Sequence, residues 1–538
     1  IATNENVTSP TVTFTSGGDA ANNADTVSGS SPGTSFTSAY TINASDTDGT
    51  VAISITATDV VGNQTTAFTT ISAGSVTVDQ TAPASQKTQG VVTTGGDNQV
   101  AGYWNSGNTG VDITVQIADD SSINGGTVQL LVSTDGGGSF VPLDSPSTIS
   151  AVNTTKTISV AGAVLEGVTG FAESDVLQFK ATITDTSGNA TTGTVSDTTL
   201  TVDQTAATIS TSSIASDNST VTLAKTGDTV TLTIATNENV SSPTVTFTSG
   251  GDAANNADTV SGSSPGTSFT SAYTINASDT DGTVAISVTA TDVAGNTTSG
   301  FTTISAGSVT VDQTAPASQK TQGVVTTGGD NQVAGYWNSG NTGVDITVQI
   351  ADDSSINGGT VQLLVSTDGG GSFVPLDTPS TISAVNTNKT ISVAGGVLEG
   401  VAGFGESDVL QFKATITDTS GNATTGTVSD TTLTVDQTAA TISTSSIASD
   451  NATVTLAKTG DTVTLTIATN ENVSSPTVTF TSGGAAATNA DTVSGASPGT
   501  SFTSAYTVDA SDTDGTVAIS ITATDVAGNT TSGFTTIS

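Results

Sequence analysis

The feature that most constrains this chain is a phrase that occurs four times, TVDQTA, at residues 77–82, 201–206, 310–315 and 434–439. Successive copies lie 124, 109 and 124 residues apart, and IATNENV begins at Ile1, Ile234 and Ile467, so the full period is 233 residues. Such a period is too long for a solenoid, whose repeats span about 20–50 residues. It predicts tandem domains of two alternating kinds.

The phrase divides the sequence into predicted domains, which we call units. Short units are expected at 1–81, 206–314 and 439–538, and long units at 82–205 and 315–438. Because Ile1 aligns with Ile234, the first unit is expected to lack its first strands, and the last is expected to be nearly complete. We expect the chain to be a segment of a longer array, with any targeting signal outside it.

Within each unit the hydrophobic period is two, which is typical of half-buried strands. In TVTLTIAT, Val230, Leu232 and Ile234 alternate with threonines, and VLQFKATITD repeats the pattern with Leu410 and Phe412 on the inward side. Gly, Asn, Asp and Ser interrupt these short runs. The sequence therefore predicts an all-β fold, a tandem array of immunoglobulin-like antiparallel β-sandwiches with about seven strands per unit.

The composition excludes several classes of function. The chain has 48 acidic residues against 8 lysines and no arginine, a net charge of −40, which argues against nucleic acid and anionic membranes as partners. It has no Cys, His or Met, so disulfides, Ser-His-Asp catalysis and Cys-His catalysis are excluded. No apolar run approaches the ~20 residues of a membrane-spanning helix. We expect no enzymatic activity and no membrane insertion.

Acidic residues recur at three places that an immunoglobulin-like sandwich brings to one pole: the incoming linker, the B–C loop and the F–G turn. Carboxylates gathered at one point repel each other unless a cation joins them, and hard oxygen ligands in flexible geometry favour Ca²⁺. The predicted calcium ligands are Glu5, Asp59, Asp79, Asp119, Asp120, Asp185, Asp203, Glu238, Asp292, Asp312, Asp352, Asp353, Asp418, Asp436, Glu471 and Asp525.

A second, weaker set of acids is expected in the E–F loop, at the opposite pole and close to the outgoing linker. It comprises Asp46, Asp48, Asp279, Asp281, Glu406, Asp408, Asp512 and Asp514. The alternative interpretation of both sets is that these acids only form surface turns, which Asp favours without any metal.

Each long unit contains one tyrosine–tryptophan pair, Tyr103–Trp104 and Tyr336–Trp337. An exposed pair could stack on sugar rings or on a neighbouring chain. A buried pair would cover the edge of a small core or a domain junction. Both interpretations remain open at this point.

The phrases GDTVTLTIATNENV, ASDTDGTV and TATDVAGNTT, followed by VTVDQTAP, resemble bacterial immunoglobulin-like (Big-type) domain repeats of giant cell-surface adhesins and biofilm matrix proteins. The long unit's AGYWNSGNTGVDITVQIADDSSINGGTVQLLVS is similar to repeats of very large adhesins, so the resemblance covers essentially the whole chain. It implies a sandwich fold, an extracellular location and, often, calcium at domain junctions.

Three functions follow as hypotheses. The first is an extracellular extension region, stiffened by Ca²⁺, that projects a distal binding region from the cell surface. The second is a self-assembling filament, sheath or surface-layer protein with lateral contacts between copies. The third is a carbohydrate-binding array that uses the tyrosine–tryptophan pairs. The expected partners are neighbouring repeats, other copies of the chain and, in the third hypothesis, surface polysaccharide.

Overall fold

The structure is a computed structural model that describes residues 1–21, 26–241, 243–254, 259–487 and 493–537. Strands dominate every unit, as the alternating pattern predicts. In 1–81 they are β1 (Ala2–Val7), β2 (Thr11–Ser16), β3 (Asp19–Ala20), β4 (Thr26–Ser28), β5 (Gly33–Ser35), β6 (Thr37–Ala39), β7 (Gly49–Thr56) and β8 (Thr77–Val78). In 82–205 the elements are β9 (Thr88–Thr94), β10 (Tyr103–Trp104), β11 (Gly110–Ile117), β12 (Thr127–Ser133), β13 (Val141–Thr148), β14 (Thr154–Ala161), α1 (Gly162–Glu166), β15 (Val176–Thr184), β16 (Ala190–Thr192) and β17 (Leu200–Val202).

The next two units repeat the alternation between short and long. In 206–314 the strands are β18 (Ile209–Ser216), β19 (Leu223–Ala224), β20 (Thr229–Val240), β21 (Thr244–Ser249), β22 (Asp252–Ala253), β23 (Thr259–Ser261), β24 (Gly266–Thr274), β25 (Gly282–Thr291), β26 (Thr297–Phe301) and β27 (Thr310–Val311). In 315–438 the elements are β28 (Thr321–Thr327), β29 (Tyr336–Trp337), β30 (Gly343–Ile350), β31 (Thr360–Ser366), β32 (Val374–Thr381), β33 (Thr387–Ala394), α2 (Gly395–Glu399), β34 (Val409–Thr417), β35 (Ala423–Thr425) and β36 (Leu433–Val435).

The last unit has one long strand that serves both sheets. Its strands are β37 (Ile442–Ser449), β38 (Thr462–Ser482), β39 (Ala485–Ala486), β40 (Gly499–Thr507), β41 (Val517–Asp525) and β42 (Thr530–Phe534). The first half of β38 pairs with β37 and β40, and its second half pairs with β41. It therefore corresponds to strands B and C joined without a break.

Two sheets face each other in the long units, and their order is that of an immunoglobulin-like sandwich. In 82–205 one sheet has the order β14–β11–β9 and the other β10–β17–β15–β12–β13, with β16 beside β15. The ladders are antiparallel except for β10 with β17, where β10, the second strand of the unit, lies in the second sheet and runs parallel to the last strand. Unit 315–438 has the same pairing.

The short units follow the same plan. In 206–314 the sheets are β18–β20–β24–β23 and β19–β27–β25–β21–β22, with β26 beside β25. The inward residues predicted from the alternation are buried, since Val230, Leu232 and Ile234 are at most 2% exposed. The predicted all-β tandem array of two alternating sandwich types is confirmed. No helix in the described part of the chain has the length and apolar character needed to cross a membrane.

The tryptophans belong to the cores of the long units, so the interpretation of an exposed stacking pair is wrong for them. Trp104 and Trp337 are 0% exposed, and Trp104 Nε1 donates to Glu166 Oε1 (3.1 Å) at the end of α1. Tyr103 and Tyr336, their neighbours, are half-buried. A buried indole offers no face to a sugar ring; its role is to fill the core and to satisfy its N–H through a glutamate.

We expect Trp337→Ala to destabilise unit 315–438 by about 3–5 kcal/mol, because it removes a large side chain from a closed core. Calorimetry of the chain should show one unfolding transition shifted to lower temperature. Val325, which is 62% exposed, provides the matched control, and Val325→Ala should change stability by less than about 0.5 kcal/mol. An unchanged thermogram for Trp337→Ala would contradict the buried position.

Candidate functional site at the domain junctions

Each TVDQT phrase is a linker whose successive residues have different partners. Its valine belongs to the preceding unit, since Val202 is 1% exposed and lies in a strand paired with β15. Its aspartate is held by the next unit, where Asn296 Nδ2 donates to Asp203 O (2.9 Å) and Oδ1 (3.1 Å). Its glutamine binds the preceding unit, where Gln204 N donates to Glu173 Oε2 (3.0 Å). The linker is therefore fixed on both sides.

In the short units, the acids of the E–F loop bind this glutamine. In unit 206–314 this is the loop between β24 and β25. Gln313 N donates to Asp281 Oδ1 (2.9 Å), and Gln313 Nε2 donates to the Asp279 carbonyl (2.7 Å). Thr314 Oγ1 donates to Asp281 Oδ2 (2.6 Å), and Asp48 accepts from the aligned glutamine in unit 1–81. Among the described residues, no group of three acids gathers around these positions. These members of the weaker predicted set act as acceptors for the outgoing linker.

The other members of that set have separate positions. Asp46 Oδ2 accepts from Tyr40 Oη (2.9 Å), and Asp512 Oδ2 accepts from the amide of Asp509 (2.7 Å). Asp408 is half-buried and Asp514 is exposed. The remaining member, Glu406, accepts from Gln437 N (3.0 Å), as Glu173 does from its own linker.

The F–G turn of unit 206–314, DVAGN at 292–296, is shaped by its own aspartate. Asp292 is 2% exposed, and its Oδ1 accepts from the amides of Ala294 and Asn296, both at 2.9 Å. Its Oδ2 accepts from Asn296 Nδ2 (3.0 Å). Gly295 completes the turn at φ +99°, a conformation that favours glycine.

This turn docks on the preceding long unit. Asn105, which is 1% exposed, donates from Nδ2 to the Ala294 carbonyl (2.7 Å). Ser106 donates to Asn296 Oδ1 from both its amide (2.9 Å) and its hydroxyl (2.7 Å). The junction before unit 439–538 repeats these bonds with Asn338, Ala527, Ser339 and Asn529. Polar groups buried between two domains are thus satisfied across the junction.

Three acids from distant parts of the sequence meet beside this turn, as the sequence predicts. Asp203 of the linker, Glu238 of the B–C region and Asp292 of the F–G turn each place one oxygen within 4.8 Å of the others. Asp436, Glu471 and Asp525 form the same group one repeat later. We call these groups the acid triads. No lysine forms an ion pair with a triad in the described part of the chain.

The charges in a triad oppose one another. Burial raises the pKa of Asp203, and the nearby negative charges of Asp292 and Glu173 raise it further. Burial also raises the pKa of Glu238, followed by the charges of Asp203 and Asp292. The pKa values of the aligned Asp436 and Glu471 are raised for the same reasons. Binding a proton or a cation would relieve this repulsion.

The junction between a short unit and the following long unit is built differently. There Asp312 Oδ2 accepts from Ser420 Oγ (3.0 Å), and Asp312 O accepts from Asn422 Nδ2 (2.8 Å). Asn218 of the short unit donates from Nδ2 to the Ser420 carbonyl (2.9 Å). Asp418, which is 4% exposed, accepts from the turn amides as Asp292 does, and burial raises its pKa. A serine hydroxyl therefore satisfies the linker aspartate here.

The prediction that the B–C acids of the long units join this cluster is wrong. Asp353 Oδ1 accepts from Ser355 N (2.9 Å) and Oγ (2.7 Å), which caps the 3₁₀ helix Ser354–Ile356. Asp352 is exposed. No acid triad forms at this kind of junction in the described residues. The aligned pair in 82–205, where Asp120 makes the same cap, is Asp119 and Asp120.

The remaining predicted ligands lie at the first junction and in the first unit. Asp79 Oδ2 accepts from Ser187 Oγ (3.0 Å), and Asp185 is 4% exposed and holds its own turn. In unit 1–81, Asp59 shapes its F–G turn and Glu5 is exposed. Among the described residues, Glu5 and Asp59 belong to no group of three acids.

Sequence reasoning missed the two amides that organise every junction. They are the asparagine that ends each D-x-x-G-N turn and the glutamine of TVDQT. Both recur with the acids they bind, so the recurrence of Asn and Gln at fixed distances from Asp was an available signal. An acid alone can form a turn, whereas Asn offers a donor and an acceptor at once.

No family model matches this sequence, and no curated protein matches it. Solved structures that are similar include a tetra-tandem repeat in the extending region of a large adhesion protein, at 20% identity, covering 83% of this chain and 97% of that one, with a TM-score of 0.28. A titin I-band fragment, I67–I69, is 10% identical over 65% of this chain and 97% of that one, with a TM-score of 0.26. A marsupial T cell receptor is 11% identical over 61% and 100%, with a TM-score of 0.25. The order of the strands in the two sheets defines the immunoglobulin-like fold.

We expect Gly295→Ala to loosen the junction between units 82–205 and 206–314. A Cβ at Gly295 would collide with the Asn98 carbonyl of the preceding unit, whereas one at Gly62, in the aligned turn of the first unit at the same φ of +99°, meets nothing within 4 Å among the described residues. Both substitutions strain the turn by about 1–2 kcal/mol. Only Gly295→Ala should increase hydrogen exchange at the Ser106 amide. Equal effects of the two variants would contradict the docked turn.

The raised pKa values predict how the junction responds to pH. Without divalent cations, the repulsion in each triad is fully present above the folded pKa values of Asp203 and Glu238. The repulsion decreases as the pH falls toward about 4, the ordinary pKa of these carboxyl groups in the unfolded chain. Exchange at the Ser106 amide, corrected for its intrinsic pH dependence, should therefore slow between pH 7 and about 4.5. Glu238→Gln should flatten this dependence, and faster corrected exchange on acidification would contradict the assignment.

Proposed function

We propose that this chain is part of the extension region of an extracellular surface protein, an array of sandwiches that spans distance by joining units end to end. The observation that carries the proposal is the placement of the linkers. In unit 206–314, β25 starts at Gly282, which pairs with Val311 of the outgoing linker. It ends at Thr291, next to the Asp292 turn that holds the incoming linker through Asn296. Ten residues of strand separate the two ends by about 33 Å.

Both ends of a unit are also held to their neighbours. This arrangement suits a spacer better than an array of domains joined by flexible linkers. The outgoing linker is anchored through its valine and glutamine, and the incoming one through its aspartate. Free linkers would allow the units to rotate independently. The motif resemblance to repeats of giant adhesins supports placing such a spacer on a cell surface, with a binding region elsewhere in the protein.

We further propose that Ca²⁺ binds the acid triads. Calcium–oxygen bonds of about 2.3–2.6 Å allow two ligands of one ion to lie up to about 5 Å apart. The triad oxygens lie within 4.8 Å of one another, so they fit a single ion of this size. Carboxylates alone favour hard cations, and the raised pKa values of Asp203 and Glu238 reflect the repulsion that a cation would offset.

The proposal places the cation at one junction in each 233-residue repeat, where a long unit precedes a short one. At the other junction Ser420 satisfies Asp312, and Asp352 is exposed. Asp312 and Asp418 are therefore assigned to hydrogen bonding. The carbohydrate-binding hypothesis receives no support from the tryptophans, because both are buried.

The test is small-angle scattering of the whole chain in millimolar Ca²⁺ and in excess chelator. We expect an extended particle in both conditions, with a larger maximum dimension and a narrower distribution of shapes in Ca²⁺. A compact particle in both would contradict the spacer, and a mass that rises with concentration would favour the lateral filament. Mass action also predicts stabilisation of about 2.7 kcal/mol when Ca²⁺ exceeds its Kd by about a hundredfold.

Matched variants test the site itself. The double change Glu238→Gln with Glu471→Gln removes one charge from each triad and should abolish the response to Ca²⁺. The control, Asp119→Asn with Asp352→Asn, changes exposed B–C acids at the aligned positions of the long units and should keep it. Isothermal titration should find two sites in the parent chain and in the control. Equal titration of the triad variant would leave the spacer intact and refute the calcium site.

A further inference from the structure

In units 82–205, 206–314 and 315–438 the second strand lies beside the last strand and runs parallel to it. The pairs are β10 with β17, β19 with β27 and β29 with β36. We call these contacts the parallel pairs. Each one connects the chain that enters a unit directly to the chain that leaves it, so it lies on the path along which tension would pass through the unit.

Tension on the array would pull the two strands of a parallel pair in opposite directions along their own axes, because the linkers lie at opposite ends of a unit. In unit 82–205, Asn189 Nδ2, in the turn after β15, donates to Asp79 O (2.9 Å) of the incoming linker. At the other end of β15, Val176 pairs with Thr201 just before the outgoing linker. Backbone hydrogen bonds cross from strand to strand, so a pull along the strands loads all the bonds of the pair together.

The backbone bonds of the parallel pairs are alike in the two kinds of unit. In each pair the last strand and the linker donate two bonds of 2.8–2.9 Å to the second strand. These bonds run from Thr201 N to Gly102 O and from Asp203 N to Trp104 O in the long unit, and from Thr310 N to Thr222 O and from Asp312 N to Ala224 O in the short unit. Backbone bonding therefore gives neither kind of unit a stronger pair.

The segments before the pairs add polar contacts in both kinds of unit. In the long unit Lys87 forms an ion pair with Asp197 (2.6 Å). In the short unit Ser305 N and Ser305 Oγ donate to Ser212 Oγ (2.9 Å) and Ser212 O (2.6 Å). Groups of this kind exchange their partners for water when they separate, so they make modest net contributions. The difference between the units has to come from the side chains within the pairs.

One side chain distinguishes the two kinds of parallel pair. At the position that pairs with the valine of the last strand, the long unit has Trp104 and the short unit has Ala224. Both are 0% exposed, but an indole buries far more apolar area than a methyl group. The indole is also covered by α1, since a Cβ added at Gly162 would lie 3.2 Å from Cη2 of Trp104. No helix covers the aligned strand in the described residues of 206–314.

A carboxylate also ties the long unit's second strand to its outgoing linker. Glu166 Oε1 accepts from Trp104 Nε1 (3.1 Å) and from Gln204 Nε2 (2.6 Å). Unit 315–438 has the same two bonds. In the short unit the corresponding link is a neutral one, in which Thr226 Oγ1 donates to Gln313 Oε1. Hydrogen bonds to an ionised group are the stronger kind, so this link also favours the long unit.

We propose that the short units are the extensible elements of the array and unfold under tension before the long units do. Sliding β10 past β17 draws an indole out of the core, whereas sliding β19 past β27 draws out only Ala224 and the half-buried Leu223. One unfolded short unit of 109 residues supplies up to about 390 Å of chain while the long units stay folded. The inference rests on the proposed spacer function, because only units joined end to end all carry the same load.

The test is single-molecule pulling of the whole chain between two cysteines, introduced at exposed positions by Ala82→Cys and Thr438→Cys. The sequence has no cysteine of its own, so the pulled segment holds two long units and one short unit. A long unit releases 124 residues and a short unit 109, so their steps differ by about 50 Å. We expect the shorter step to come first in nearly every trace. A shorter step that comes first no more often than chance would overturn the proposal.

Matched variants test the cause of this order. Trp104→Ala with Trp337→Ala should lower the force of the longer steps, so that they no longer follow the shorter one. The control, Ile123→Ala with Ile356→Ala, removes side chains that are at most 1% exposed from the same cores but from outside the parallel pairs. The control should lower stability to denaturant and keep the parent order of steps, because forced unfolding depends on the unfolding rate and not on the equilibrium stability.

Two results with the variants would overturn the proposal. One is an unchanged order in the tryptophan variant, and the other is an equal loss of order in the isoleucine control. The order of steps in the parent chain decides the question even if a variant does not fold. That order reports the relative strength of the units, whereas scattering reports the shape of the array, so failure of this proposal and failure of the spacer are separate results.

Discussion

The interaction on which the junctions depend is made by one asparagine at the end of each F–G turn. Asn296 shapes its own turn through Asp292, holds the linker through Asp203, and accepts from Ser106 of the preceding unit. Asn296 is 3% exposed, so a substitution that removed these bonds would leave buried polar groups unpaired, at a cost of about 1–3 kcal/mol for each group. The same residue therefore stabilises the F–G turn of its own unit and fixes the geometry between the two units.

The two junction types differ at the third residue of the F–G turn and at the acid of the B–C region. DTSGN places a serine hydroxyl on the linker aspartate, as Ser420 does on Asp312. DVAGN has Ala294 there, and the linker aspartate faces Glu238 and Asp292 instead. The long unit also lacks a counterpart of Glu238 at this place, because Asp353 caps a 3₁₀ helix and Asp352 is exposed. Among the described residues, only the junctions before a short unit therefore gather three acids. The same sandwich topology supports both, because the turn backbone is almost unchanged.

Much of this could be predicted from the sequence, and the failures have physical causes. The alternating pattern of the long strands predicted which residues of β20 and β34 face inward. The expected topology also placed Asp203, Glu238 and Asp292 at the same pole of the sandwich, where they meet. The side chain of Asp353 instead turns back to cap a 3₁₀ helix, and a cap competes with any ligand role for the same oxygens. Trp104 lies in a strand of two residues, which is too short for alternation to reveal its inward face.

The junction at which Ser420 donates to Asp312, between a short unit and the following long unit, has a mechanical consequence for a long array. If the acid triads are the softer joints when no cation is bound, each short unit and the long unit after it move as one rod. The array then behaves as a chain of jointed rods two units long, and its mean end-to-end distance grows with the square root of the number of rods. A cation bound in every acid triad would make these junctions rigid as well. The end-to-end distance would then grow in direct proportion to the number of repeats. The reach of the array would then depend on the divalent cation concentration around it, with no change in the fold of any unit.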